Sequence, residues 1–437
     1  MKKYLLTAGM LSFFACKENK SNTEALPKDR EVLTSIDTVK LPAPDEKGAK
    51  NKFCKVIGWP ADKSPQAPAG FTVTRFAEGL KSPRNMIQAD NGDIFVVLSN
   101  SERSATEKVK NDISGKSKAE VGGDSANRII LYRDRNKDSI PESSTVFLDH
   151  LNQPYGMLII KDRFYVANTD GVWVYPYKSG DTKITGKGKK ILDLPAGGYN
   201  NHWTRNMIAN KDLSKIFISV GSGSNVGENG MENEVRRANI LEINPDGTQE
   251  KIYASGLRNP VGMSWNPVTG ELWTVVNERD ELGDELVPDY LTSVKKDAFY
   301  GWPYSYFGPH EDPRRKGEKP DLVKKTIVPD VSLGSHTASL GLTFYTANQY
   351  PQKYRNGAFI GQHGSWNRSS LVGYQVAFVP FTNGKASQSY APFLSGFIAN
   401  EAKGEVYGRP VGVLQTADGS LLVADDVGGI VWRVSYK

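Results

Sequence analysis

The chain has 437 residues, with 55 Lys and Arg against 49 Asp and Glu, a formal net charge of +6 and two cysteines. The basic excess is dispersed among acids rather than gathered into a Lys/Arg stripe with interleaved aromatics, which excludes the usual nucleic-acid footprint and leaves an anionic small ligand open. Plentiful glycine (42) and proline (24), without long amphipathic helical patterns, point to many short strands joined by turns.

Lys2 and Lys3 precede an apolar run from Leu5 to Ala15 that is too short to span a bilayer. A basic head, a short apolar middle and a small residue read as an export signal over residues 1–16. Ala15 followed by Cys16 resembles the processing site of a bacterial lipoprotein. That predicts a lipidated Cys16 and an exported protein anchored to a bacterial membrane, on its periplasmic or cell-surface side. No later apolar run approaches transmembrane length, so membrane contact is expected only through that lipid. Residues 17–50 are rich in Lys, Glu, Asp, Pro and Ser and read as a flexible tether. Cys54 is then the one remaining thiol, so no intramolecular disulfide framework is available.

From residue 51 to 437 one phrase recurs: an apolar residue, Pro or Arg, then Gly or Asn, then Met, Leu or Val. A polar turn and a strand rich in β-branched and aromatic residues follow. The copies are Leu80–Met86, Gln153–Met157, Thr204–Met207, Leu257–Met263, Ala338–Leu342 and Gly408–Val413. The strands expected after them are Asp93–Val97, Arg163–Ala167, Lys215–Val220, Glu271–Val276, Gly357–Gly361 and Ser420–Ala424. Six copies at roughly 65 residues each leave room for four-stranded blades with long loops. A single sheet cannot bury both faces alone, and radial repetition solves this with short protected edges. The expected fold is an all-β, six-bladed β-propeller of four-stranded antiparallel blades.

Function on such a scaffold belongs to loops at one end of the central channel. Five carboxylates lie between Glu278 and Glu285. Calcium would suit them, and so would solvent. His202 stands beside Arg205 in a loop entering the third repeat, and His363 and His336 lie in other polar loops. Arg205, Arg258 and Arg409 recur near repeat starts, with Arg84 close to the same place. Converging there, they would hold an anion; otherwise each pairs with an acid of a neighbouring blade.

Asn201–Asn206, Ser219–Asn225, Gly256–Pro260, Asn277–Asp280, Tyr300–Pro303 and Gly408–Gly412 together resemble the soluble glucose/sorbosone dehydrogenases, nearest their sorbosone and pyranose dehydrogenase branch. The resemblance spans roughly residues 70 to 436. It implies a propeller holding pyrroloquinoline quinone, with calcium beside it. His202 would be the general base. Arg258, Asn259, Arg368 and Arg409 would contact the cofactor, and Asp280, Asp284 and Glu285 would serve calcium. Asp280 stands where a Gly-Pro pair of the glucose enzymes offers backbone oxygens, and Ser222 replaces a carboxylate near the histidine. The implied reaction is oxidation of a sugar or related aldehyde by hydride transfer to the quinone. The implied partners are a small sugar and an external electron acceptor, which the sequence does not identify. Two other readings of the same fold are a lipid-tethered propeller that binds a glycan or protein, and a calcium-dependent lactonase. The arginine pattern weighs against the lactonase.

Overall fold

The structure is a computed structural model that describes residues 29–102, 112, 116–119 and 124–437. The export signal and Cys16 lie outside those residues. Nearly all of the described chain is strand and turn, with a single-turn α-helix at Pro320–Val323. No helix among the described residues is long and apolar enough to cross a membrane.

The recurring phrase marks one structural position. Its six copies form or enter the strands Pro83–Gln88, Gly156–Ile160, Arg205–Ala209, Asn259–Trp265, Ser339–Phe344 and Pro410–Gln415. Each is the first strand of a four-stranded antiparallel sheet, and the described residues contain six such sheets. The strands expected next are the second strands, Ile94–Leu98, Arg163–Asn168, Ile216–Val220, Leu272–Asn277, Ala358–Gln362 and Leu421–Asp425. They are buried along their whole length, save Asn277, which is half-buried, and Arg163, which is exposed. A continuous apolar run rather than an alternating one is what a strand covered on both faces requires.

The first strands neighbour one another in cyclic order, the sixth returning to the first. The Gly-or-Asn position of the phrase is where they touch. A Cβ on Gly156 would lie 2.8 Å from the Arg205 carbonyl oxygen, and one on Gly341 would lie 2.1 Å from that of Val411. Where asparagine stands instead, it reaches across: Asn85 Nδ2 donates to the Tyr155 carbonyl at 3.2 Å, and Asn206 Nδ2 to that of Val261 at 2.9 Å. Val261, Leu340 and Val411, from three first strands, and Tyr155, just before a fourth, form a small apolar cluster there. Between sheets the packing is aromatic, as with Phe95, Phe147 and Phe164 between the first two.

The sixth sheet draws its fourth strand from the other end of the domain. Phe71–Ala77 pairs antiparallel with Ile430–Tyr436. Further upstream, the structure departs from the expected tether over residues 17–50. Arg30–Leu33 pairs with Thr38–Leu41 in a hairpin, and Val32 and Leu41 are buried against Leu282 and Leu286. Two well-spaced apolar residues are enough once pairing turns both toward a wall that the sheets already provide.

Candidate functional site

One cavity brings together His202, Arg258, Asn259, Asp280 and Arg409, which are remote in sequence. All come from loops or strand ends on one side of the sheets. His202 precedes the first strand of the third sheet, and Arg258 and Asn259 open the fourth. Asp280 lies in the hairpin loop after Leu272–Asn277, and Arg409 precedes the sixth sheet. The segment before the domain also takes part. Lys52 N donates to the Trp366 carbonyl and Asn367 Nδ2 to that of Lys50, which carries Phe53 and the buried thiol of Cys54 to the cavity wall.

His202 is held in one orientation. Its Nδ1 lies 2.8 Å from the Ser222 carbonyl oxygen and 2.9 Å from Ser222 Oγ. The carbonyl can only accept. Ser222 Oγ gives its own proton to the Ser224 carbonyl at 2.7 Å, so it too accepts from the ring. Nδ1 therefore carries the proton and Nε2 keeps a free lone pair. Burial, then the nearby Arg258 charge, hold the imidazole well below its ordinary pKa, at about 3. Gly221 makes the approach possible. A Cβ there would meet Asn259 Oδ1 at 2.5 Å and His202 Cβ at 2.6 Å.

Arg258 is almost wholly buried, and its N–H groups are occupied inside the chain. Nε donates to the Asn225 carbonyl at 3.0 Å, Nη1 to the carbonyls of Asn277 (3.3 Å) and Glu278 (2.5 Å), and Nη2 to Asn225 Oδ1 and Asp280 Oδ2, both at 2.9 Å. It acts on the cavity through its charge. Burial would raise the Asp280 carboxyl, but the Arg258 charge, the His336 hydrogen bond and charge and the nearby His202 together outweigh it and leave the group at about 2. Arg409 donates to the His363 and Gly364 carbonyls at 2.8 and 2.9 Å. Asn259 Oδ1 is buried without a hydrogen-bond partner.

Three expectations are corrected. Arg205 does not join the arginines of the cavity. It is fully buried behind the His202 loop, donating to the carbonyls of His202, Thr204 and Pro195 at 2.7, 2.9 and 2.7 Å. Arg368 also lies off the cavity wall, in an ion pair with Glu285 and a hydrogen bond to the Asp284 carbonyl. Asp280, Asp284 and Glu285 do not converge. Asp280 is engaged by Arg258 and His336, Asp284 by Ser369 and Glu285 by Arg368. Among the described residues no three His, Cys, Asp or Glu side chains are placed to hold a metal ion. The like charges that suggested a cation are instead spread among basic and hydroxyl partners.

The cavity also contains residues that carried no assignment. His363 Nε2 lies 2.9 Å from both Asp426 carboxylate oxygens, and Arg84 pairs with the same carboxylate at 3.1 Å. His336 is set between Asp280 Oδ1 at 3.3 Å and the Gly283 carbonyl at 2.9 Å. Burial lowers its pKa, but the Asp280 hydrogen bond and charge raise it above the ordinary value. Glu278, buried with Oε1 unpartnered, is pushed up to about 8, chiefly by burial. Glu278, His363 and Asp426 share a signal in the repeat: each is the residue immediately after a second strand. Aligning the repeats by strand ends would have singled them out.

The model of the TrAA12-like family matches residues 65–296 and 315–437. An uncharacterised protein of Borreliella burgdorferi is 27% identical over 383 residues, covering 85% of this chain and 91% of its own. A pyrroloquinoline quinone-dependent pyranose dehydrogenase of Coprinopsis cinerea is 23% identical over 340 residues, or 62% of this chain and 44% of that enzyme, so the chain matches less than half of its length. The holo form of the quinone domain of pyranose dehydrogenase from Coprinopsis cinerea superimposes with a TM-score of 0.68 at 19% identity. It covers 88% of this chain and all of that domain, and shares its fold.

Proposed function

The chain belongs to the TrAA12-like family, and we propose that it is a pyrroloquinoline quinone-dependent dehydrogenase that oxidises a sugar, built on a six-bladed β-propeller. The observation that carries this reading is the neutral His202, with Nδ1–H fixed on Ser222 and Nε2 free, in a cavity whose cations stand among the carboxyl groups of Glu278, Asp280 and Asp289. Arg258, Arg409 and Lys116 line it, while Phe53, Trp203 and Trp366 supply flat apolar walls. Cations beside aromatic faces fit a planar group bearing carboxylates. Arg409 and Asn259 would hold it, Asn259 through its unpartnered Oδ1 and its amide N–H, with Arg258 adding charge from behind. When bound, the quinone supplies the carbonyl that accepts hydride.

The chain's own part is to bind the sugar and manage its proton. His202 Nε2 takes the proton of the substrate hydroxyl, the role a neutral imidazole suits near neutral pH. Its Nδ1–H hydrogen bond to the Ser222 carbonyl then steadies the imidazolium. The side chains that would serve calcium are not assembled, so no step is assigned to that ion. Reoxidation requires an external electron acceptor. Export, cleavage before Cys16 and its lipidation belong to the same proposal and would place this chemistry at a membrane surface.

The test is reconstitution. Purified protein should take up one equivalent of pyrroloquinoline quinone by absorbance titration, and an aldose should bleach the oxidised cofactor. His202→Ala should retain uptake but lose roughly 100-fold or more in turnover, the range of a removed general base. Absence of quinone uptake, or full turnover in the variant, would defeat the assignment.

A further inference from the structure

A second cleft adjoins the main cavity and has a different chemistry. The two share Ser101 and Trp203, so the wall between them is the residue next to His202. The second cleft is lined by Asn152, Gln153, Thr169 and Tyr199 together with the shared pair, and its one charged side chain among the described residues is Glu102. Among the described residues no lysine or arginine lines it, in contrast to Arg258, Arg409 and Lys116 next door. The described lining thus offers an anionic group no counter-charge, and its amides and hydroxyls are too polar for a lipid.

Two observations indicate an occupant. Ser101 is 4% exposed, and its hydroxyl has no hydrogen-bond partner. A buried hydroxyl without a partner costs free energy unless something reaches it, and this one stands where the two clefts meet. Tyr199 is a half-exposed aromatic ring in a loop that Arg205 and Arg237 anchor through Asn200 Oδ1, at 3.1 and 2.7 Å. A fixed ring beside amides and hydroxyls suits a neutral polyol, whose C–H faces stack on aromatics and whose hydroxyls both donate and accept.

We propose that this cleft is a second sugar subsite, taking the unit glycosidically linked to the one oxidised beside His202, so that the preferred substrate is a di- or oligosaccharide. The proposal rests on the sugar-dehydrogenase reading and extends it to substrate length. Trp203, between the clefts, is the built-in fluorescence reporter.

Two measurements test it. Apo-protein titrated with cellobiose, maltose and glucose by tryptophan fluorescence and calorimetry should bind one of the disaccharides about tenfold more tightly than glucose, the gain of one aromatic stack and a few hydrogen bonds. In quinone-reconstituted enzyme, Tyr199→Ala should raise the ratio of disaccharide KM to glucose KM by about the same factor. Equal affinity for all three sugars, or a Tyr199→Ala change that leaves the KM ratio unmoved, overturns the subsite. A protein that binds the disaccharide through Tyr199 yet takes up no quinone supports the subsite and defeats the oxidation. One that oxidises every sugar with equal KM does the reverse.

Discussion

At the scale of single residues, the decisive arrangement is a relay of acceptors. The Ser222 hydroxyl spends its proton on the Ser224 carbonyl, so both Ser222 oxygens can only receive from His202 Nδ1. A tautomer is thereby selected without any carboxylate. The consequence shows in pH. In the folded state His202 protonates at about 3, in the unfolded chain near the ordinary value of 6.5. The base form thus persists as acid is added, and kcat/KM of the reconstituted enzyme should show no break near 6.5. Stability behaves oppositely. Between those two values the unfolded state binds more protons, so acid favours unfolding and stability declines as pH falls. His363, pulled down to about 4 by burial and the Arg409 charge, adds in the same direction. Glu278, pushed up to about 8, and Asp289 and Asp425, each raised to about 6, hold protons in the folded state and oppose the two histidines. A level kcat/KM from pH 7 to 5, with no large fall in melting temperature, is expected. A kcat/KM break at 6.5 would mean that His202 titrates as an ordinary histidine.

At the scale of elements, loops build the site and sheets merely aim them. The hairpin loop between Leu272–Asn277 and Pro288–Ser293 sends Glu278 and Asp280 inward and binds Arg368 with Asp284 and Glu285. Its apolar residues Leu282 and Leu286 are covered in turn by the Arg30–Leu33/Thr38–Leu41 hairpin. That hairpin is a clamp on the back of the loop. Leu41→Ala should remove about 2–5 kcal/mol of local packing and release it. The expected readout is faster amide exchange over residues 30–41 and 278–286, with little change in the melting temperature of the sheets. Unchanged exchange would show that the clamp is held elsewhere.

At the scale of the molecule, closure depends on the pairing of Phe71–Ala77 with Ile430–Tyr436. The two ends of the domain finish one sheet, and Phe71 packs among Tyr350, Tyr354 and Phe393 of the fifth. The sixth sheet has its full four strands only while this pairing stands, and without it the longer Ile430–Tyr436 strand becomes an open edge. A chain beginning at residue 78 should expose the Ile430–Tyr436 edge and lose cooperative urea unfolding. A chain beginning at residue 29 should keep it. Cooperative unfolding of the shorter chain at an unchanged midpoint would mean that the closing strand is dispensable.

The sequence by itself determined the repeating unit. Six copies of one phrase with a Gly or Asn at the inner contact, each followed by a mostly apolar strand, are local patterns that any copy displays. Each second strand formed within a residue or two of where it is expected. The resemblance of their flanking motifs also singled out His202, Arg258, Asn259, Asp280 and Arg409, which line one cavity. Tertiary structure alone decided which charges face the cavity. Arg205 and Arg258 look alike beside a repeat start. One turns behind the His202 loop and the other toward Asp280, because carbonyl acceptors from different loops wait on each side. Neighbouring acids in the Glu278–Glu285 run found partners from distant elements before they could find a common ion. Charge pairing is set by through-space distance, which a list of residues does not contain, whereas strand formation is set by neighbours along the chain, which it does.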